Sequence, residues 1–193
     1  MKKTLVTLAV IGVSALTMFG QARVSFNNIV SGSAITIGTP ANPPATGQYV
    51  GSDYSIQLLW KAGTYSDLAS FLAAGPSSSA PAAFFGTTGG SPTTDGAGLF
   101  IGGDVALGGP AGTYTFLAQA WYNGGTYSTY AAAAAAGKNV GQSVLFQLAA
   151  TEPPSPAPDT VFPSFTVQAI PEPATLALGG LGLAALFLLR RRS

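Results

Sequence analysis

Histidine and cysteine are both absent from the 193 residues. Their absence excludes Ser-His-Asp and Cys-His catalysis, thiolate chemistry, and zinc centres built on nitrogen or sulfur ligands. It also excludes disulfides, so the fold must be held by a packed core. Charge is scarce too: 8% of residues are Asp, Glu, Lys or Arg, and the net charge is +1. Five of the eight basic residues lie at the two ends: Lys2, Lys3, Arg190, Arg191 and Arg192. Between them, Arg23, Lys61 and Lys138 stand against Asp53, Asp67, Asp95, Asp104, Glu152 and Asp159, so residues 23–169 are net negative. With no basic patch, nucleic acid is excluded as a partner. No glycine run is followed by Lys-Ser or Lys-Thr, so there is no phosphate-cradling loop, and no cofactor is implied.

What is present begins with a leader. Lys2 and Lys3 precede an apolar run over 5–19, and Gly20-Gln21-Ala22 supplies small residues where a signal peptidase reads them. Residues 1–22 are predicted to be a secretory signal peptide cut between Ala22 and Arg23. The remaining chain divides into an outer domain over 23–151, a proline-rich connector over 152–160, a last strand over 161–169 and a tail over 170–193.

The outer domain alternates with period two, the mark of half-buried strands. Val24 and Phe26 alternate with Ser25 and Asn27, and Ile56, Leu58 and Trp60 with Ser55, Gln57 and Leu59. In residues 113–122, Tyr114, Phe116, Ala118, Ala120 and Tyr122 share one face. Thr113, Thr115, Leu117, Gln119 and Trp121 share the other. Val144, Phe146 and Leu148 repeat the pattern, as do Phe165 and Val167. Shorter strands are expected over 34–37, 83–87 and 98–101. Turn residues such as Gly108-Gly109-Pro110 and Asn123-Gly124-Gly125 separate them. Two short helices are expected, over 66–74 and 128–136, each stopped by a glycine. Seven or eight strands with little helix predict a mainly β fold, an antiparallel β-sandwich of immunoglobulin or fibronectin-III type, with a jelly roll as the alternative. Tyr114, just past the Pro110 corner, is placed to act as a tyrosine corner.

The tail has three parts in order: Pro171-Glu172-Pro173, an apolar run over 174–189, and Arg190, Arg191 and Arg192. As a helix the run spans about 24 Å at ~1.5 Å per residue, short of a bilayer core of about 30 Å. Local thinning and snorkelling arginines close the gap. A transmembrane helix is therefore expected over 174–189, with the arginines as a cytoplasmic stop block. The prolines keep 170–173 extended at the outer surface. This arrangement closely resembles the PEP-CTERM sorting signal of Gram-negative bacteria. The resemblance implies recognition by an exosortase, a membrane-embedded processing enzyme that cuts near the motif. Residues 23–169 also resemble small secreted proteins that carry the same tail. That likeness rests on Trp121-Tyr122-Asn123, Gly125-Thr126-Tyr127, the alanine run, Gly141-Gln142-Ser143 and Pro153-Pro154-Ser155-Pro156, and it implies no activity.

The expected partners are signal peptidase, an exosortase-type enzyme, the inner membrane in passing, and extracellular polysaccharide. Localisation is expected to be an inner-membrane-anchored precursor, then the cell surface or exterior. Three functions are open: a non-enzymatic surface or matrix protein, a polysaccharide-binding module, and, more distantly, a glycosidase. Sugar contacts would come from Trp121, Tyr122, Tyr127 and Tyr130, whose rings can stack on sugar faces. A glycosidase needs two carboxyls, and Asp95 with Asp104 is the nearest couple. The same two, with backbone carbonyls, are the candidates for calcium.

Overall fold

The computed structural model describes residues 20–32, 34–38, 48–161 and 163–169. Nearly all of the predicted signal peptide lies outside these residues. So do the sorting tripeptide Pro171–Pro173, the predicted span over 174–189 and the arginine block.

Ten strands and two short helices make up the described chain: β1 Arg23–Asn27, β2 Thr36–Ile37, β3 Tyr54–Ala62, α1 Leu68–Ala73, β4 Ser77–Ser78, β5 Ala82–Ala83, β6 Ile101–Ala106, β7 Gly112–Tyr122, α2 Tyr130–Ala135, β8 Asn139–Gln142, β9 Phe146–Ala150 and β10 Thr166–Ala169. The main sheet runs β2-β10-β8-β7-β3-β4, with β5 also paired to β3 and β9 also paired to β7. A second sheet is the β1–β6 ribbon. The fold is mainly β, as expected. It is mixed rather than purely antiparallel, because β10 runs parallel to β2 and residue Asp159 forms a parallel bridge with Ser25.

The long pair β3–β7 is the spine, antiparallel from Tyr54↔Tyr122 to Ala62↔Tyr114. Its alternation does what the sequence predicts. Tyr54, Ile56, Leu58 and Trp60 of β3 lie in one core cluster with Tyr114, Phe116, Ala118 and Ala120 of β7. Val24, Phe26 and Val105 of the ribbon belong to the same cluster. Trp60 Nε1 donates to the Leu107 carbonyl at 3.1 Å, so the indole is buried without an unpaired polar atom. Asn28, fully buried, substitutes for strand pairing at the ribbon's end: it donates to the Gly98 carbonyl and accepts from the Phe100 N–H, each at 2.8 Å.

Several boundaries differ from expectation for local reasons. Asp67 caps α1, accepting from the Ser70 N–H at 2.8 Å; Thr129 caps α2, accepting from the Ala132 N–H at 3.2 Å. At the end of α2, Gly137 sits at φ +64° while the Lys138 N–H reaches back to the Ala133 carbonyl at 2.9 Å. The strand expected to begin at Val144 starts at Phe146 as β9, and Val144 is exposed. The connector over 152–160 docks rather than spans: Ser25 N–H donates to the Pro158 carbonyl and Thr160 N–H to the Ser25 carbonyl, each at 2.9 Å. The strand expected over 161–169 is regular only as β10.

Candidate functional site

The four aromatic candidates are not brought onto one shelf. Trp121 is fully buried. Its position on the outer face of β7 puts it beneath α2, packed with Ala133 and Val140. Its Nε1 donates to the Tyr127 carbonyl at 2.9 Å. The expectation of a sugar contact at Trp121 is therefore corrected: its ring is closed off by the alanine helix and offers no face. Tyr122, on the opposite side of the strand, is half-buried and meets Tyr54 edge-on at 5.4 Å. Tyr127 is half-buried with the Lys138 ammonium 5.9 Å above its ring. Tyr130 is half-buried, and burial pushes its phenol up.

The Asn123-Gly124-Gly125 turn positions this end of the spine. The Asn123 and Gly124 N–H groups donate to the Asp53 carbonyl at 2.8 and 3.1 Å. Asn123 Nδ2 donates to Ser55 Oγ at 2.6 Å, and its Oδ1 accepts from the Gly125 N–H. Nearby, Thr88 Oγ1 donates to the Asp53 carboxylate. Tyr54 is buried among these groups; Asn139 Nδ2 donates to its hydroxyl at 3.1 Å. Burial outweighs that bond, and the phenol is pushed up to about 12.

Two clefts flank the block made by Trp121 and α2. One, of about 440 Å³, is lined by Ser55, Pro81, Asn123, Gly125, Thr126, Tyr127 and Ser128. The other, of about 560 Å³, lies along β8 and β10 and includes Tyr130, Gln142, Thr166 and Gln168. No charged side chain lines either.

The carboxylate pair also comes apart. Asp95 Oδ1 accepts the N–H groups of Ser91 and Ala97 at 3.0 and 3.1 Å; Oδ2 accepts the N–H and hydroxyl of Thr87 at 3.1 and 3.0 Å. The Thr87 N–H, followed by that of Ala97, holds its carboxyl below the usual range. A carboxylate so supplied with donors ties a loop together, as an Asx turn does. Asp104 is not in a turn but on β6, 3.5 Å from the Arg23 guanidinium, with both side chains partly exposed. Among the described residues no three acidic side chains gather as a metal ion would need.

At the start of β1, Ala22 is buried and bonded into the domain. Its N–H donates to the Gly109 carbonyl at 2.7 Å, and its carbonyl accepts from the Leu107 N–H at 2.8 Å. At the C-terminal end of the described residues, Ala169 pairs with Asn139 of β8 and is the last residue of β10. A single residue, Ile170, separates that strand from Pro171.

These observations define a class: a mainly β domain, poor in charge, joined without a linker to an apolar, arginine-ended tail. The family model for the PEP-CTERM protein-sorting motif matches residues 169–192. The tail is therefore a PEP-CTERM sorting motif, as the sequence resemblance implied, and it marks the chain as an exported precursor handled by an exosortase. No curated protein and no solved structure matches the chain.

Proposed function

We propose that this protein is an exported, non-enzymatic component of the cell surface or extracellular matrix. A signal peptide over 1–22 takes it across the inner membrane. The tail over 170–193 holds the precursor there by its span until the exosortase acts at Pro171, Glu172 and Pro173, and the β domain then works outside. The observation that carries this reading is the sorting motif that begins on the final residue of β10.

Other features support its parts. Asp95 and Asp104 are each committed to separate partners, which favours a non-enzymatic role over glycoside hydrolysis. Two sheets sharing one core favour a sandwich. The Tyr114 hydroxyl donates to the Pro110 carbonyl at 3.0 Å, the bond a tyrosine corner makes, and this favours the immunoglobulin-like form over a jelly roll.

Intact mass and membrane fractionation in the native cells test the reading. Deleting Pro171–Pro173 is expected to leave the protein in the inner membrane at unprocessed mass. Normal export of that variant overturns the sorting step. The same spectrum reads the other end. A chain beginning at Arg23 is expected from the Gly20-Gln21-Ala22 pattern. That cut removes the partners of the Leu107 N–H and Gly109 carbonyl, and a chain beginning at Gln21 or Ala22 would place the cut earlier.

A further inference from the structure

Three glutamines that look unremarkable in sequence stand side by side on the outer face of the main sheet. Gln57 of β3 is opposite Gln119 of β7, and Gln119 is opposite Gln142 of β8. Their amides are chained: Gln57 Nε2 donates to Gln119 Oε1 at 3.4 Å, and Gln119 Nε2 donates to Gln142 Oε1 at 3.5 Å. All three are half-buried. Both bonds are long against the usual 2.7–3.2 Å or so. The row is therefore aligned but not saturated, and its atoms can be taken up by an incoming partner.

The row has walls. On one side Leu59 and Leu117 lie under Phe71 of α1. On the other, Trp121 and Val140 lie under Ala133 of α2. Beyond Gln142 it opens into the cleft of about 560 Å³ with Gln168, Thr166 and Tyr130. A polar floor between two helices, with a tyrosine at its rim, makes a trough.

We infer that this trough binds a neutral polysaccharide chain. The inference rests on the exported, non-enzymatic reading and deepens it. Each carboxamide offers a donor and an acceptor, which suits neighbouring sugar hydroxyls. Tyr130 adds an apolar ring with a polar tip. No charged side chain lines the cleft, so a charged polymer finds no counter-ion there. A peptide adding as a strand needs an open backbone edge. The glutamines are instead on a sheet face, with β3, β7 and β8 already paired.

The test uses the full chain in a polyoxyethylene detergent, because sugar-headed detergents would compete. Titration calorimetry is run against dextran, xyloglucan, galactomannan and glucomannan, with polygalacturonate as the charged polymer. Binding to at least one neutral polymer is expected, weakened tenfold or more in Tyr130→Ala and in Gln142→Ala. Gln142→Glu keeps the size of the side chain, guards against a folding defect, and should weaken binding as much. Lys138→Ala, outside the trough, should leave binding unchanged. No binding to any neutral polymer overturns the inference. So does binding indifferent to Tyr130 and Gln142, or a preference for polygalacturonate. The assay is independent of processing, so its failure is distinct from failure of the sorting step, which mass and fractionation read.

Discussion

On the inner face of β3 and β7, four alternate side chains from each strand, Tyr54 to Trp60 and Tyr114 to Ala120, join one cluster with the ribbon. On the outer face the same two strands carry three separate zones: Leu59 and Leu117 under α1, the glutamine row, and Trp121 under α2. A strand half-buried in the usual way has one wet face. Here the outer face has two dry patches with a polar row between them, and beyond the Leu59–Leu117 patch it returns to solvent at Lys61 and Thr113. The inner face is thus a single cooperative core, while the outer face is two small caps with a gap. Folding is expected to depend chiefly on the first, and recognition on the gap in the second.

Two substitutions on neighbouring residues break the comparison most sharply. Phe116, fully buried, stacks on Phe146 at 5.5 Å in the inner core. Phe116→Ala should cost about 3–5 kcal/mol and lower the urea midpoint for the whole domain. Leu117→Ala, one residue on and equally buried, should cost about 2–5 kcal/mol, with amide exchange rising first in α1. Equal losses with no local exchange would mean that the two faces unfold as one unit.

The inner face also has a pH limit. Burial raises the Tyr54 phenol from its ordinary 10.0 to about 12. The unfolded chain therefore releases this proton first. The stabilisation is complete below pH ~10 and is lost as pH rises to ~12, about 2–3 kcal/mol in all. Tyr54→Phe should flatten that loss in urea titrations at successive pH values. A slope that persists in the variant would assign it to another tyrosine.

Further along the same sheet is the β8–β10 contact, where a Cβ on Gly141 would collide with the Thr166 carbonyl. Gly141→Ala should cost about 1–3 kcal/mol and speed proteolysis near Ala169, since β10 must move. Unchanged protection of Ala169 would show that β8 gives way instead.

Period-two alternation made β3 and β7 legible because large apolar side chains fill every second position. It failed at β8, where Asn139 and Gly141 occupy strand positions for packing reasons: Asn139 reaches the Tyr54 hydroxyl, and Gly141 admits the Thr166 backbone. It failed at β6 because most of that strand is exposed, with Val105 its buried residue. Both helices were legible from composition, yet each N-cap lies one residue inside the expected start, at Asp67 rather than Ser66 and at Thr129 rather than Ser128, because both residues of each pair offer an oxygen and geometry chooses the second. Trp121 and Tyr122 were rightly set on opposite faces; which face would be covered depended on where α2 docks. The glutamine row was invisible because a glutamine on an alternating strand reads as solvent-facing. Strand register alone lines up Gln57, Gln119 and Gln142. The sorting tail was the most legible segment, because its three parts are contiguous and need no fold to assemble them.

The smallest effect concerns the α2 cap and separates the two tryptophans. Trp60 belongs to the inner core and Trp121 to the outer cap. Thr129→Ala removes the oxygen that accepts the Ala132 N–H, at a cost of about 1 kcal/mol. If α2 is an independent lid, that cost falls on the lid rather than on the domain. In a Trp60→Phe background, Trp121 emission should then shift to the red at urea concentrations well below the global midpoint. In a Trp121→Phe background, Trp60 emission should change only at the midpoint. Coincident transitions for both indoles would mean that the alanine helix is fastened to the inner core through β7, and that the outer face shares its cooperativity after all.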